Sequence, residues 1–196
     1  MKKLYLFLAI LLFLGAITHA QERRGFYIDV GLGWAWIKYP EPFNGEVKAV
    51  ANVSGVTRIT LDFNLSIGYA VMQNLYLVGT ASGIIDSLNA SNTLFLTTML
   101  IGPGLKFYPL PEGKYLQIGL DAGYSALSMS LSDSSTSYDG PSGFAFQVTA
   151  AGDFDRTLTG PALQLGAKFY WGLLSKESVY SVSLFAKFAY KGRRRA

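Results

Sequence analysis

GFYIDVGLGWAWIKY, residues 25–39, separates into two series when every second residue is taken. Phe26, Ile28, Val30, Leu32, Trp34 and Trp36 form one. Tyr27, Asp29, Gly31, Gly33, Ala35 and Ile37 form the other. Successive side chains of a strand point to opposite faces, so this is a two-faced strand with an unbroken apolar side. The opposite side carries glycine, alanine and a charge rather than the Lys/Glu/Thr mixture that a soluble sheet shows to water. That combination predicts a cramped polar face and a greasy face turned to lipid.

Composition points the same way. Half of the 196 residues are apolar and only 15% are charged, against about 25% in ordinary soluble domains. Met1-Lys2-Lys3, the apolar run Leu4 to Ile17 and Thr18-His19-Ala20 have the three parts of a secretory signal peptide, so residues 1–20 are expected to be removed. Nothing after them is apolar for long enough to form a spanning helix, which leaves a closed barrel as the way to sit in a membrane. There is no cysteine, and the one histidine, His19, leaves with the signal. Disulfides and thiolate metal sites are excluded, and neither metal nor cofactor is expected.

The same alternation recurs along the chain. Ile59 to Val71 alternates as cleanly as the first strand, and Met72-Gln73-Asn74 turns into a third strand from Leu75 to Ile84. Its register is open, because Leu75 and Leu77 compete with Tyr76 and Val78 for the apolar face. A fourth strand ends at Phe107 and contains Pro103, which marks a bulge or a weakened pairing. Strands follow at 116–125, 144–152, 163–170 and 180–190. Long connections at 40–57, 85–92 and 129–143, a shorter one at 171–178, and tight turns at 72–74 and 109–113 alternate as periplasmic turns and surface loops do. Aromatic residues gather near both ends of the apolar face, as in two interfacial girdles. A soluble barrel of lipocalin type would alternate similarly with its apolar face inward. Eight strands leave too little interior for six or seven large residues per strand, so the lipid-facing reading is preferred.

The opening GFYIDVGLGW, Gly102 and Gly104 before Phe107-Tyr108, and Phe188-Ala189-Tyr190 resemble the small outer-membrane β-barrels of the OmpA, OmpX and OmpW type, over the whole mature length. The resemblance implies an eight-stranded antiparallel up-and-down barrel at residues 21–190 in the outer membrane of a diderm bacterium. It also implies outer-membrane lipid and the assembly machinery as partners. Residues 191–196 follow as a basic tail, with Arg193 to Arg195 nearer to anionic head groups or cell-wall polymer than to nucleic acid.

Strand parity turns Asp29, Asp62, Asp121, Lys106, Lys168 and Lys187 inward, with Asp29 and Lys187 meeting at the closing seam. Such a balanced set reads either as a gate or proton-sensitive pore, or as pairs that fill and stiffen a plugged lumen. Hydrolytic and transfer sites generally use a histidine, and residues 21–196 have none; an enzyme is not expected. A non-enzymatic structural or surface-interaction role follows. One exception suggests an alternative. Parity also turns Ile37, Leu96, Leu100 and Leu127 inward near the outer mouth, which would form an apolar cup for a small apolar ligand, with Pro103 as a sideways exit. A bulge at Pro103 would instead put Leu96 and Leu100 on the lipid face.

Overall fold

The structure, a computed structural model, describes residues 25–41, 43–72, 74–90, 92–109, 116–132, 137–154, 160–175 and 177–192. The expected signal peptide, the turn residues 110–115 and Arg193 to Arg195 lie outside them. The strands are β1 (Phe26–Lys38), β2 (Thr57–Met72), β3 (Leu75–Asn89), β4 (Thr93–Phe107), β5 (Leu116–Leu131), β6 (Ser137–Asp153), β7 (Gly160–Leu174) and β8 (Glu177–Lys191), with one helix, α1 (Phe43–Ala51), between β1 and β2. Each strand pairs antiparallel with the next, and β1 pairs with β8 from Tyr27↔Lys191 to Lys38↔Tyr180, closing the sheet into a barrel.

Closure leaves no strand edge unpaired, which is the condition for a sheet to cross hydrocarbon. The outer surface meets the second condition. Val30, Leu32, Ile67, Leu120, Leu163, Val182 and Leu184 are exposed on it, Leu32 by 69%. Aromatic side chains border this band at the end where β1 begins, here the lower end: Phe26 meets Tyr69 edge to face at 5.6 Å, with Phe107, Phe188 and Tyr190 exposed near them. At the upper end Trp34, Trp36 and Tyr124 are exposed, and Trp171 stacks on Tyr180 at 6.3 Å. The molecule is a transmembrane barrel by these two features.

Strand length departs from the sequence reading. The connections expected at 85–92 and 129–143 are largely strand: β3 runs to Asn89 and β4 starts at Thr93, while β5 runs to Leu131 and β6 starts at Ser137. The loop expected at 171–178 shrinks to the residues between Leu174 and Glu177, and 40–57 contains α1. The physical reason is a change of surroundings. Above the upper girdle the outer face meets water, so residues such as Asn89 and Thr97 replace large apolar ones and the greasy alternation that marks a strand fades. β3 settles with Tyr76 and Val78 buried inside. Pro103 makes no register shift: Ile101↔Tyr124 and Gly104↔Asp121 belong to one register, so Leu96 and Leu100 stay inward. The irregularities lie instead at Ala70/Met72 and Ala126/Ser128.

Depth in the band sets the cost of a charge. Leu32 pairs with Phe63 and Ala186 midway between the girdles, so Leu32→Arg should cost about 2–4 kcal/mol in denaturant unfolding from lipid vesicles. Ile118 pairs with girdle residue Phe107, so Ile118→Arg should cost only about 0–1 kcal/mol in the same assay.

Candidate functional site

The interior of an eight-stranded barrel has room for side chains and little else. Long charged residues fit because small ones face them. A Cβ added at Gly31 would stand 2.7 Å from the Lys187 Cβ, and one at Gly104 would press on the Asp121 carboxylate. The glycines of the inward series therefore make the space that the lysines occupy.

From the lower end upward, the interior begins with Lys191 Nζ donating to Asp153 at 2.6 Å and lying 5.0 Å from the centre of the Tyr108 ring. Tyr27, Tyr76 and Tyr108 form an aromatic layer, with centroids 5.0 and 5.8 Å apart in sequence around Tyr76. Gln117 donates to the hydroxyls of Tyr27 and Tyr108 and accepts from Lys187. Lys187 also lies 3.3 Å from Asp29, whose carboxylate takes further donors from Tyr27 at 2.6 Å and Asn64 at 2.6 Å. Higher, Lys106 Nζ donates to both oxygens of Asp121 at 2.8 Å, and Thr80 and Gln147 complete that carboxylate's shell. Lys168 pairs with Asp62 at 2.6 Å. The second oxygen of Asp62 and the hydroxyls of Thr98, Ser181 and Ser183 have no hydrogen-bond partner among the described residues, so this layer is poorly satisfied.

All six charges singled out in the sequence thus point inward, and they meet as Asp29 with Lys187, Asp62 with Lys168, and Asp121 with Lys106. Four more lie just past the strand ends read from the sequence. Asp86, in the connection expected at 85–92, and Arg58, one residue before the strand expected from Ile59, both sit on strands and pair at 2.6 Å, with Tyr39 and Thr60 also donating to Asp86. Asp153, just after the strand expected at 144–152, and Lys191, in the expected tail, are both buried strand residues. Strand parity extended by two residues at each end would have found all four.

The upper mouth is built differently. Leu96, Leu100 and Leu127 are buried in one cluster with Leu88, Tyr170, Leu174 and Val179, and Ile37 packs against it half-buried. α1 covers this cluster with Val47 buried and Phe43 meeting Tyr39 edge to face at 5.3 Å. Glu41 holds the start of the helix by accepting from the Asn44 amide at 2.8 Å and the Gly45 N–H at 3.1 Å. The Asn44 hydrogen bond keeps the Glu41 carboxyl below the usual carboxylate range.

Two outcomes follow. Asp62 and Lys168 have few other partners, so Asp62→Asn or Lys168→Met alone should cost about 3–5 kcal/mol, and the double variant less than either, in a double-mutant unfolding cycle. Val47→Asp puts a carboxylate into the apolar cluster and should unseat α1. The measurement is trypsin cleavage at Lys48, expected to speed up while the barrel keeps its heat-dependent gel mobility.

No protein-family model matches this chain, and no curated protein matches its sequence. Solved structures do. The attachment invasion locus protein Ail of Yersinia pestis, solved with the heparin analogue sucrose octasulfate, superposes with a TM-score of 0.57 at 13% identity, covering 85% of this chain and 99% of that one. Neisserial surface protein A superposes with a TM-score of 0.58 at 14% identity, covering 84% of this chain and 96% of that one. The chain therefore has the fold of the small eight-stranded outer-membrane barrels.

Proposed function

We propose that this is a non-enzymatic barrel of the bacterial outer membrane with a structural or surface-interaction role, its lumen closed by paired charges and its upper face offered to the outside. The observation that carries this reading is the interior ladder. Among the described residues five ion pairs, Lys191–Asp153, Lys187–Asp29, Lys106–Asp121, Lys168–Asp62 and Arg58–Asp86, follow one another from end to end. The lower three are joined to one another by tyrosine, glutamine, asparagine and hydroxyl groups, and Arg58–Asp86 is held by Tyr39 and Thr60, whereas Lys168–Asp62 stands between them without such a bridge. A chain of buried pairs of this kind is costly to open, since separating one pair strands two charges in a low-dielectric interior.

The absence of a histidine after His19 supports the non-enzymatic part. The inward carboxylates are also engaged by lysine or arginine, which leaves them poorly placed as a general base. The lower end faces the periplasm in this reading. Phe188 and Tyr190 then present the outward aromatic pair of the last strand to the assembly machinery, and the apolar band meets outer-membrane lipid. Binding of a small apolar molecule is favoured as a second reading by a cavity of about 230 Å³ at the upper rim, lined among the described residues by Phe43, Leu96, Leu127 and Met129. Transport of one sideways at Pro103 is not, because the register continues across that residue.

Reconstituted into planar bilayers at neutral pH, the protein should give no stable stepwise conductance. Vesicles carrying it should retain an entrapped dye. Reproducible unit steps from the unaltered protein would refute the closed lumen.

A further inference from the structure

The ladder between β1 and β2 stops short of the strand ends. It runs from Phe26↔Tyr69 to Trp34↔Leu61, at the level of the upper girdle. Above that rung residues 35–38 pair with β8 alone, and residues 57–60 with β3 alone, among the described residues. Two strand edges therefore face each other across a gap. Parity tells which backbone groups line it. Gly25 C=O accepts from Ala70 N–H on the β2 side, whereas Phe26 C=O accepts from Gly192 N–H on the β8 side, so odd-numbered residues of β1 turn their backbone toward β2. Ile37 N–H and C=O thus point into the gap. Hydrocarbon excludes such an edge, and water at the membrane surface satisfies it.

Behind the gap lies the poorly satisfied layer of the interior. Asp62 stands opposite Gly33, Ser183 opposite Ala35 and Ser181 opposite Ile37. Asp62 gives one oxygen to Lys168 at 2.6 Å; its other oxygen and both serine hydroxyls are buried without a hydrogen-bond partner among the described residues. Between Asp62 on β2 and Ser183 on β8, β1 contributes only Gly33 and Ala35, so nothing larger than a methyl group separates them.

We propose that the upper β1–β2 junction is a hydrated slot, which admits water from the solution at the upper end and binds it between Asp62 Oδ2, Ser183 Oγ and Ser181 Oγ. This goes beyond the closed lumen and leaves it closed, because Asp121 beneath is ringed by Lys106, Thr80 and Gln147. It holds whichever side of the membrane the upper end faces. A carboxylate oxygen accepts, and a serine hydroxyl both donates and accepts, so together they offer the about two to four partners that a buried water takes. The Asp62 charge is already met by Lys168, so the slot suits water and small neutral hydroxyl compounds rather than a further ion. An apolar guest would leave the same three groups unmet.

Amide hydrogen exchange of the unaltered protein in lipid nanodiscs tests the gap. Ile37 N–H should exchange rapidly, while Trp36, facing Val182 on β8, and Gly31, facing Asn64 below the last rung, stay protected. Equal protection at Ile37 and Trp36 would show that the ladder continues and would overturn the slot. Thiol accessibility tests the site behind it, since the chain has no cysteine of its own. Ser183 and Ser66 are both 0% exposed, but Ser66 bonds to Thr80 in the sealed layer below. Treated in nanodiscs with 2-hydroxyethyl methanethiosulfonate, Ser183→Cys should gain the mass of the adduct while folded, and Ser66→Cys only after unfolding. Adding Ala35→Leu, which fills the slot, should protect the cysteine at 183. Modification of both cysteines at one rate, or of neither, would refute the proposal, and the exchange measurement decides it should a variant fail to fold. Neither readout depends on conductance, so a conducting lumen would count against the closed barrel and not against the slot.

Discussion

The space inside a closed eight-stranded sheet is the constraint from which the other features of this molecule follow. Side chains must fill it, and in the membrane-spanning part the outer face has already taken the apolar residues. What points inward is therefore polar, and each polar group needs a partner because water is scarce there. Lysine and aspartate on facing strands satisfy that need across the lumen, at 2.6 to 3.3 Å. They reach each other because glycine at positions such as Gly31 and Gly104 leaves room beside them. Glycine, which weakens a strand in other settings, is here what allows a long charged neighbour to lie flat against the sheet.

The second organising feature is an inversion of polarity at the upper membrane surface. Within the membrane the outer face is apolar and the lumen polar. Above it the strands continue with unchanged parity, but the outer face meets water and the interior becomes an ordinary apolar core of Leu88, Leu96, Leu127, Leu174 and Val179. The upper part of the barrel thus behaves like a small soluble domain standing on a membrane protein, with α1 as its lid. The bulge at Gly140-Pro141 and the cavity beside it belong to the same region, where the ladder no longer has to be sealed against hydrocarbon.

That the fold is shared with Ail and Neisserial surface protein A at 13% and 14% identity is what this physics leads one to expect. Closure and alternation are satisfied by many sequences, because lipid asks only that a residue be apolar and the lumen only that it be paired. The loops and the upper core are free to differ.

The strand count, the closed antiparallel order and the inward direction of Asp29, Asp62, Asp121, Lys106, Lys168 and Lys187 were legible in the sequence, because period-two alternation is local and survives without knowledge of the fold. So was the inward direction of Ile37, Leu96, Leu100 and Leu127, although Pro103 left it open until the register across that residue was seen. The ends of β3, β5 and β6 were not legible, since the cue used to find strands was apolar residues facing lipid, and that cue stops at the membrane surface while the strand does not. The partners were beyond local reading altogether. Lys168 and Asp62 are 106 residues apart in the chain, and Lys187 and Asp29 are 158 apart. Only closure of the barrel, which brings β8 beside β1 and sets the height of each strand against the others, decides which charges meet, that Val47 of α1 seals the mouth, and where the bulge opens a cavity.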